Sequence, residues 1–185
     1  MHDITGLLLA AGASQRYGSN KLLAELDGQP LILHSTRALS DCDRVIAIVR
    51  EGDHALHQVL QQAGIDWVVN PDAEAGMGRS IAAGVKASEA SHGWCILPAD
   101  MPAVRPATTQ SIVTALQGGA PIVAPFYRDQ RGHPVGFGAE FKDELLALSG
   151  DIGARTILAA HPDQSVRLDV DDAGILHDID TPLDL

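Results

Sequence analysis

Five stretches of the chain are apolar almost without interruption: 4–10 (ITGLLLA), 44–49 (RVIAIV), 66–69 (DWVV), 93–97 (GWCIL) and 121–126 (PIVAPF). Continuous apolar runs of this length, lacking polar alternation, predict strands buried on both faces. Amphipathic stretches lie between them. Leu56, Val59, Leu60 and Ala63 recur at helical spacing and Gly64 follows as a stop signal. Pro30 suits a helix first turn and precedes LILHSTRAL; Met77, Ile81, Val85 and Ser88 mark another helix, and Thr108, Ile112, Ala115 and Leu116 a third. This alternation predicts an α/β fold, a three-layer α/β/α sandwich around a mainly parallel, Rossmann-like sheet, with the ligand site at the carboxyl ends of the strands.

Beyond residue 127 the rhythm changes. The stretch 127–138 (YRDQRGHPVGFG) predicts a turn entering another strand, 140–148 and 154–160 predict short helices, and 165–170 with 174–179 predict a hairpin around Asp171, Asp172 and Gly174. There is no repeat, low-complexity tract or linker, so residues 1–185 are expected to form one domain.

The formal net charge of -11 disfavours nucleic acid as a partner, because such binding rests on neutralising phosphates with Lys and Arg. No apolar run is long enough for a bilayer, and the first residues lack the basic segment of a signal peptide, so a cytoplasmic protein without membrane contact is expected. Cys42 and Cys95 match no metal-ligand or redox spacing and are read as two reduced thiols near the core.

The first apolar run ends in a polar loop, LLAAGASQRYGSNKLL at 8–23. Gly12 allows a tight turn and a close approach of backbone amides to a ligand, and Arg16 and Lys21 place two cations together in an acidic chain. Neither G-x-G-x-x-G nor G-x-x-x-x-G-K-[ST] is present, which weighs against a dinucleotide oxidoreductase and a P-loop NTPase. A glycine turn with two solvated cations is the plainer alternative. The segment resembles L-A-A-G-x-S-x-R-[MFY]-G-x-x-K-L, the signature of the MobA-like nucleotidyltransferases, in particular their molybdenum cofactor cytidylyltransferase (MocA-like) branch. Tyr17 stands where Met or Phe is commoner in that signature. The resemblance implies a fold of the nucleotide-diphospho-sugar transferase type and a loop that wraps a nucleoside triphosphate. Ala10, Ala11, Gly12, Ala13 and Ser14 would line it, with Arg16 and Lys21 neutralising the phosphates.

Phosphoryl-type transfer needs charge stabilisation more than covalent chemistry, and Mg²⁺ is usually held by one or two carboxylates. Asp100, in LPADMP, follows a predicted strand, and Asp180 lies in HDIDTPLDL after the last one. An aspartate at a strand end is also a common turn or cap residue. The resemblance implies that both hold the metal, with Asp100 catalytic alongside Lys21 and Arg16; Asp178 is left open as an assistant. Asn70, Gly76 and Ser80 border a glycine-rich helix start, GMGRSIAAG, that resembles the family's base and ribose segment; a merely softened helix start is the alternative. Met77 is assigned to packing. RGHPVGF and GDIGAR resemble acceptor-side elements of the cytidylyltransferase branch, which implies acceptor binding by His133 and Arg155; packing for the former and a surface charge for the latter are the alternatives.

The expected reaction is therefore Mg²⁺-dependent transfer of a cytidylyl group from CTP to a phosphorylated acceptor, with release of pyrophosphate. The resemblance implies molybdopterin as acceptor and a molybdoenzyme as the client of the product. An extra methyl at Ala11, where GTP-using members tend to carry glycine, favours CTP. Two alternatives stand: a cytidylyl-, uridylyl- or guanylyltransferase for another phosphorylated small molecule, and a non-catalytic molybdenum-cofactor chaperone.

Overall fold

A computed structural model of the chain describes residues 3–12, 20–151 and 153–181. The long apolar runs form the expected strands. β1 (Ile4–Leu9) is followed by a small hairpin of β2 (Glu25–Leu26) and β3 (Gln29–Pro30), then α1 (Leu31–Ala38), β4 (Arg44–Arg50), α2 (His54–Gln62) and β5 (Asp66–Asn70). Next come α3 (Met77–Ala87), β6 (Gly93–Pro98), α4 (Pro106–Gln117), β7 (Ile122–Tyr127), β8 (Gln130–Arg131), β9 (Val135–Gly138), α5 (Lys142–Leu146), α6 (Arg155–Ala160) and β10 (Ser165–Asp169). Pro30 closes β3 and immediately precedes the helix rather than standing within its first turn.

The main sheet runs β10-β7-β9-β6-β1-β4-β5, with β8 paired to β7. Pairs β1/β4, β1/β6, β4/β5 and β7/β10 are parallel; β9 runs antiparallel between β6 and β7. Alternation along β1 sends Ile4 and Leu8 into a core shared with α1, α2 and α4, and Leu7 into one shared with α3, α5 and α6. The result is a three-layer α/β/α sandwich. Gly84 lets α3 settle on the sheet, since a Cβ there would stand 2.9 Å from the Ile48 side chain. Among the described residues no helix is long and apolar enough to cross a membrane.

The chain runs outward from the central β1 to β4 and β5, then returns to β6 on the other side of β1. This reversal opens a crevice at the carboxyl ends of the strands.

The expected hairpin over 165–179 does not form. β10 instead pairs in parallel with β7, from Ser165 opposite Ile122 to Asp169 opposite Phe126, and 173–176 is a short 3-10 turn. The aspartate–glycine chemistry that suggested a hairpin serves a different purpose. Asp172, 2% exposed, accepts hydrogen bonds from the Gly174 amide (3.0 Å), the Arg105 amide (2.9 Å) and the Thr108 hydroxyl (2.7 Å). It thus ties the turn to the start of α4, and the chain beyond crosses the sheet end, where the Ile179 amide donates to the Asp100 carbonyl at 2.8 Å.

Removing this buried acceptor strands two backbone amides and a hydroxyl. Asp172→Ala is expected to lower the unfolding free energy by about 2–4 kcal/mol in urea denaturation. An unchanged midpoint would show the anchor to be dispensable.

Candidate active site

The carboxyl end of β1 leaves the sheet between its two parallel neighbours. The Ala10 amide donates to the Ile48 carbonyl (2.8 Å) and the Ala99 amide to the Leu9 carbonyl (3.0 Å), so both ladders continue past the strand ends. Ala10 is buried beneath this exit, while Ala11 and Gly12 open onto a cleft of about 1140 Å³. A Cβ at Gly12 would meet nothing within 4 Å, so packing among the described residues does not require glycine there. Ala13, Ser14 and Arg16 lie outside the described residues.

Lys21 begins a 3-10 turn, 21–23, that Asn20 caps by accepting from the Leu22 amide at 3.1 Å; buried Leu22 anchors the turn in the core. From this turn the Lys21 ammonium reaches Asp100 Oδ2 at 2.8 Å and Asp180 Oδ1 at 3.4 Å. Burial pulls the Lys21 pKa down, but hydrogen bonding and attraction to Asp100, and then to Asp180, outweigh it and raise the pKa above 10.5. The group is a fixed cation near neutrality.

Asp100 stands two residues beyond β6, and the preceding Ala99 carbonyl is held by the Ser35 hydroxyl of α1 at 2.7 Å. The bond from Ile179 to Asp100 then brings the two flanking aspartates to the same point. Oxygen atoms of Asp100, Asp178 and Asp180 all lie within 4.8 Å of one another. Sequence reasoning paired Asp100 with Asp180 and left Asp178 open; the structure gathers all three. Residues 177–180 pair with no strand of the sheet, yet Asp178 and Asp180 flank buried Ile179 and reach the same point, the same-face placement that alternation predicts.

The cluster suits a divalent cation. Oδ2 of Asp100 accepts from Lys21, whereas its Oδ1 is buried with no hydrogen-bond partner among the described residues. A buried carboxylate oxygen without a donor is the kind of atom a hard cation ligates.

The far end of the cleft is walled by the ends of β4 and β5 and the start of α3. Asn70 and Ser80 both line it, and each is buried: the Asn70 carboxamide donates to Ser80 Oγ at 3.1 Å and accepts from the Asp72 amide at 3.0 Å. Gly76 also lines the cleft, but its glycine character answers the protein's own packing. Its φ is +98°, and a Cβ would stand 2.3 Å from the Gly150 carbonyl carbon. The Gly78 amide donates to the Gly150 carbonyl (2.9 Å), so 149–151 packs against the first turn of α3 and takes up one of its amides. Met77, assigned to packing from the sequence, is 42% exposed and lines the cleft. Arg50, Glu51 and Asp151 line it too, and sequence reasoning singled out none of them.

The two acceptor-side candidates differ in placement. His133 is largely enclosed beside the carboxylate cluster, with its amide donating to the Ile175 carbonyl at 3.0 Å and its Nδ1 buried without a partner among the described residues. Burial, then the charge of Arg131, lowers its pKa below 6.5 against the opposing pull of Asp100 and Asp178. Arg155 is exposed at the start of α6 and is not among the residues that line the cleft; its segment reaches the cleft through Asp151.

Comparison with known proteins places this geometry among relatives. The family described as MobA-like NTP transferase domain matches residues 6–166. The chain is 30% identical to the purine catabolism protein PucB of Bacillus subtilis over 97% of its own length and 92% of that protein. It is 28% identical to the molybdenum cofactor cytidylyltransferase of Escherichia coli, covering 100% of this chain and 94% of that one. It is likewise 28% identical to a probable molybdenum cofactor guanylyltransferase of Deinococcus radiodurans, over 100% of this chain and 93% of that protein. Among solved structures, Rv0371c of Mycobacterium tuberculosis superimposes with a TM-score of 0.86 at 28% identity, covering 98% of this chain and 95% of that one. The manganese complex of Rv0371c matches with a TM-score of 0.77 at 26% identity, over 99% of this chain and 92% of that one.

The placement of His133 has a measurable consequence. Its folded pKa lies below that of the unfolded chain, so in acid the unfolded state takes up a proton that the folded ring resists. Stability is intact above the unfolded value and falls as pH drops from there toward the folded one. His133→Gln is therefore expected to lose less unfolding free energy than the parent between about pH 7 and about pH 5. Identical losses in urea titrations at the two pH values would show that the ring does not carry this penalty.

Proposed function

Because this chain belongs to the MobA-like NTP transferase family and is a nucleotidyltransferase, we propose that it transfers a cytidylyl group from CTP to a phosphate monoester on molybdopterin, releasing pyrophosphate. The observation that carries this reading is the meeting of Lys21 with Asp100 and Asp180, Asp178 beside them, next to the cleft that Asp100 lines. Asp100 and Asp180 would hold a divalent ion, magnesium or manganese, with Asp178 as a third ligand. When bound, that ion supplies positive charge to the phosphate oxygens.

The remaining work falls to the chain's own side chains. Lys21 and Arg16 hold and neutralise the triphosphate, with amides of the 10–14 segment and Ser14 as further donors. An oxygen of the acceptor phosphate attacks the α-phosphorus; the new P–O bond forms as the bond to the bridging oxygen breaks, and that electron pair leaves on pyrophosphate. A phosphate monoester is substantially ionised near neutrality, so no residue need act as general base. Positioning and electrostatic stabilisation carry the rate. Asn70, Gly76 and Ser80 form the wall for ribose and base. His133 and Arg155 are the acceptor-side residues, and of the two His133 lies beside the carboxylates.

The reaction is tested by measuring pyrophosphate release from CTP, Mg²⁺ and molybdopterin. The parent protein is expected to turn over, and Asp100→Asn to lose at least about 100-fold in kcat/KM while keeping its fold by circular dichroism. Near-parental release from that variant would remove Asp100 from the mechanism. Failure of the parent with every nucleotide, despite binding one, would favour a carrier over an enzyme. The Ala11 methyl, at the cleft surface, narrows the space beside the base; Ala11→Gly is expected to raise kcat/KM for GTP relative to CTP. A fixed ratio would dispose of the methyl as a selector.

A further inference from the structure

The corner joining β4 to α2, residues 50–53, lies outside the segments that carry the resemblance, yet its side chains reach Gly12 and Asn20, the described residues on either side of 13–19. At the entry, Arg50 Nη2 donates to the Gly12 carbonyl. At the exit, Asn20 Nδ2 donates to Asp53 Oδ2 at 2.5 Å. Asn20 in turn caps the turn that carries Lys21, so its carboxamide is bonded on both sides: its oxygen to the Leu22 amide and its nitrogen to Asp53.

The corner itself is fixed. Asp53 caps α2 through its other oxygen, which accepts from the Leu56 amide at 3.3 Å, and Gly52 makes the turn with a φ of +80°. His57 of α2 places its Nε2 at 3.3 Å from the Arg50 carbonyl and stacks on Trp67 of β5, with ring centroids 5.9 Å apart. Helix, strand and edge strand therefore hold Arg50 and Asp53 in one rigid piece.

We infer that this corner is a two-point clamp on the nucleotide loop, with Arg50 holding its entry at Gly12 and Asp53 holding its exit through Asn20. Both are positioning residues: they fix Gly12 and Asn20, and through Asn20 the turn from which Lys21 reaches Asp100. The inference rests on the proposed nucleotide site but has a readout that needs no nucleotide.

The choice of variant separates clamping from simple stability. Asp53→Ser keeps an N-cap oxygen for α2 while removing the acceptor for Asn20. Hydrogen exchange of the 10–22 segment in nucleotide-free protein is expected to accelerate about tenfold in Asp53→Ser and in Arg50→Ala, with exchange of β6 and the thermal midpoint unchanged. The Kd for Mg·CTP, measured by calorimetry, is expected to weaken about tenfold in both, with partial recovery in Arg50→Lys, whose ammonium can still donate to a carbonyl. Combining Asp53→Ser with Asn20→Ala should cost no more than Asn20→Ala alone, because one acts through the other. Unchanged exchange in the single variants overturns the clamp, and additive effects in the double variant overturn the route through Asn20. Faster exchange in a protein whose parent form binds no nucleotide would uphold the clamp and sink the proposed function instead.

Discussion

Three carboxylates held within 4.8 Å of one another repel, and the site exists only because the rest of the chain forces them together. Each such pair opposes the arrangement by up to a few kcal/mol at an effective dielectric near 20, less where water reaches the oxygens. Lys21 offsets part of this, bridging Asp100 and Asp180. Backbone geometry supplies the rest of the restraint. Asp172 fastens the late turn to α4, and Ile179 fastens the following residues to Asp100, so two aspartates are delivered by a segment whose own contacts lie elsewhere. Part of the anchoring thus falls to Asp172 and to backbone hydrogen bonds rather than to the clustered carboxylates, and Asp100 Oδ1 has no donor among the described residues.

The crevice divides its labour by strand. The ends of β1 and β6 bring the charged groups, while those of β4 and β5 with the start of α3 bring walls. The wall is largely preformed: Asn70 and Ser80 bond each other, and the first turn of α3 is covered by Gly150. Helix N-termini are common anion sites, but at this one the Gly78 amide is already taken by the Gly150 carbonyl and the Asp151 carboxylate stands close by. On the proposed reading, recognition of phosphate falls to the segment after β1 and to Lys21, and Gly12 and Asn20, on either side of that segment, are each held by a side chain from the β4–α2 corner.

Those parts of the fold that sequence made legible are the ones governed by burial. Strands β1, β4, β6 and β7 announced themselves as apolar runs because both faces of the sheet are covered by helices there, whereas β5, at the sheet edge, forms as expected but is only partly buried, with Val69 42% exposed. Placement of Lys21 near Asp100 and Asp180 was legible through a signature, since no local pattern links positions 21 and 180. Features that depend on distant partners were not. Asp171, Asp172 and Gly174 carry turn chemistry that fits a hairpin equally well, and only the buried Arg105 amide and Thr108 hydroxyl decide otherwise. The β2–β3 hairpin did have a local signal, Asp27-Gly28 with both φ values positive, that the reading passed over. Cys42 and Cys95 are far apart in sequence but adjoin in the core, where a hydrogen bond to Cys42 and then burial push the Cys95 thiol up. Both are buried, as expected, and no disulfide joins them.

The chain's acidity bears on how a polyanion could enter at all. With 24 acidic against 13 basic residues, and Glu51, Asp72, Glu74, Asp100 and Asp151 all lining the cleft, the field over the crevice opposes a free triphosphate. Among the described lining residues only Arg50 is basic, and its guanidinium is engaged with the Gly12 carbonyl. On the proposed reading, a nucleotide that arrives already chelated presents less negative charge to the acidic walls and offers the aspartates a partner. The same carboxylates that would repel bare phosphate thereby select for the chelate. Selection of this kind needs no cationic surface, which reconciles a strongly acidic protein with a phosphate-rich substrate.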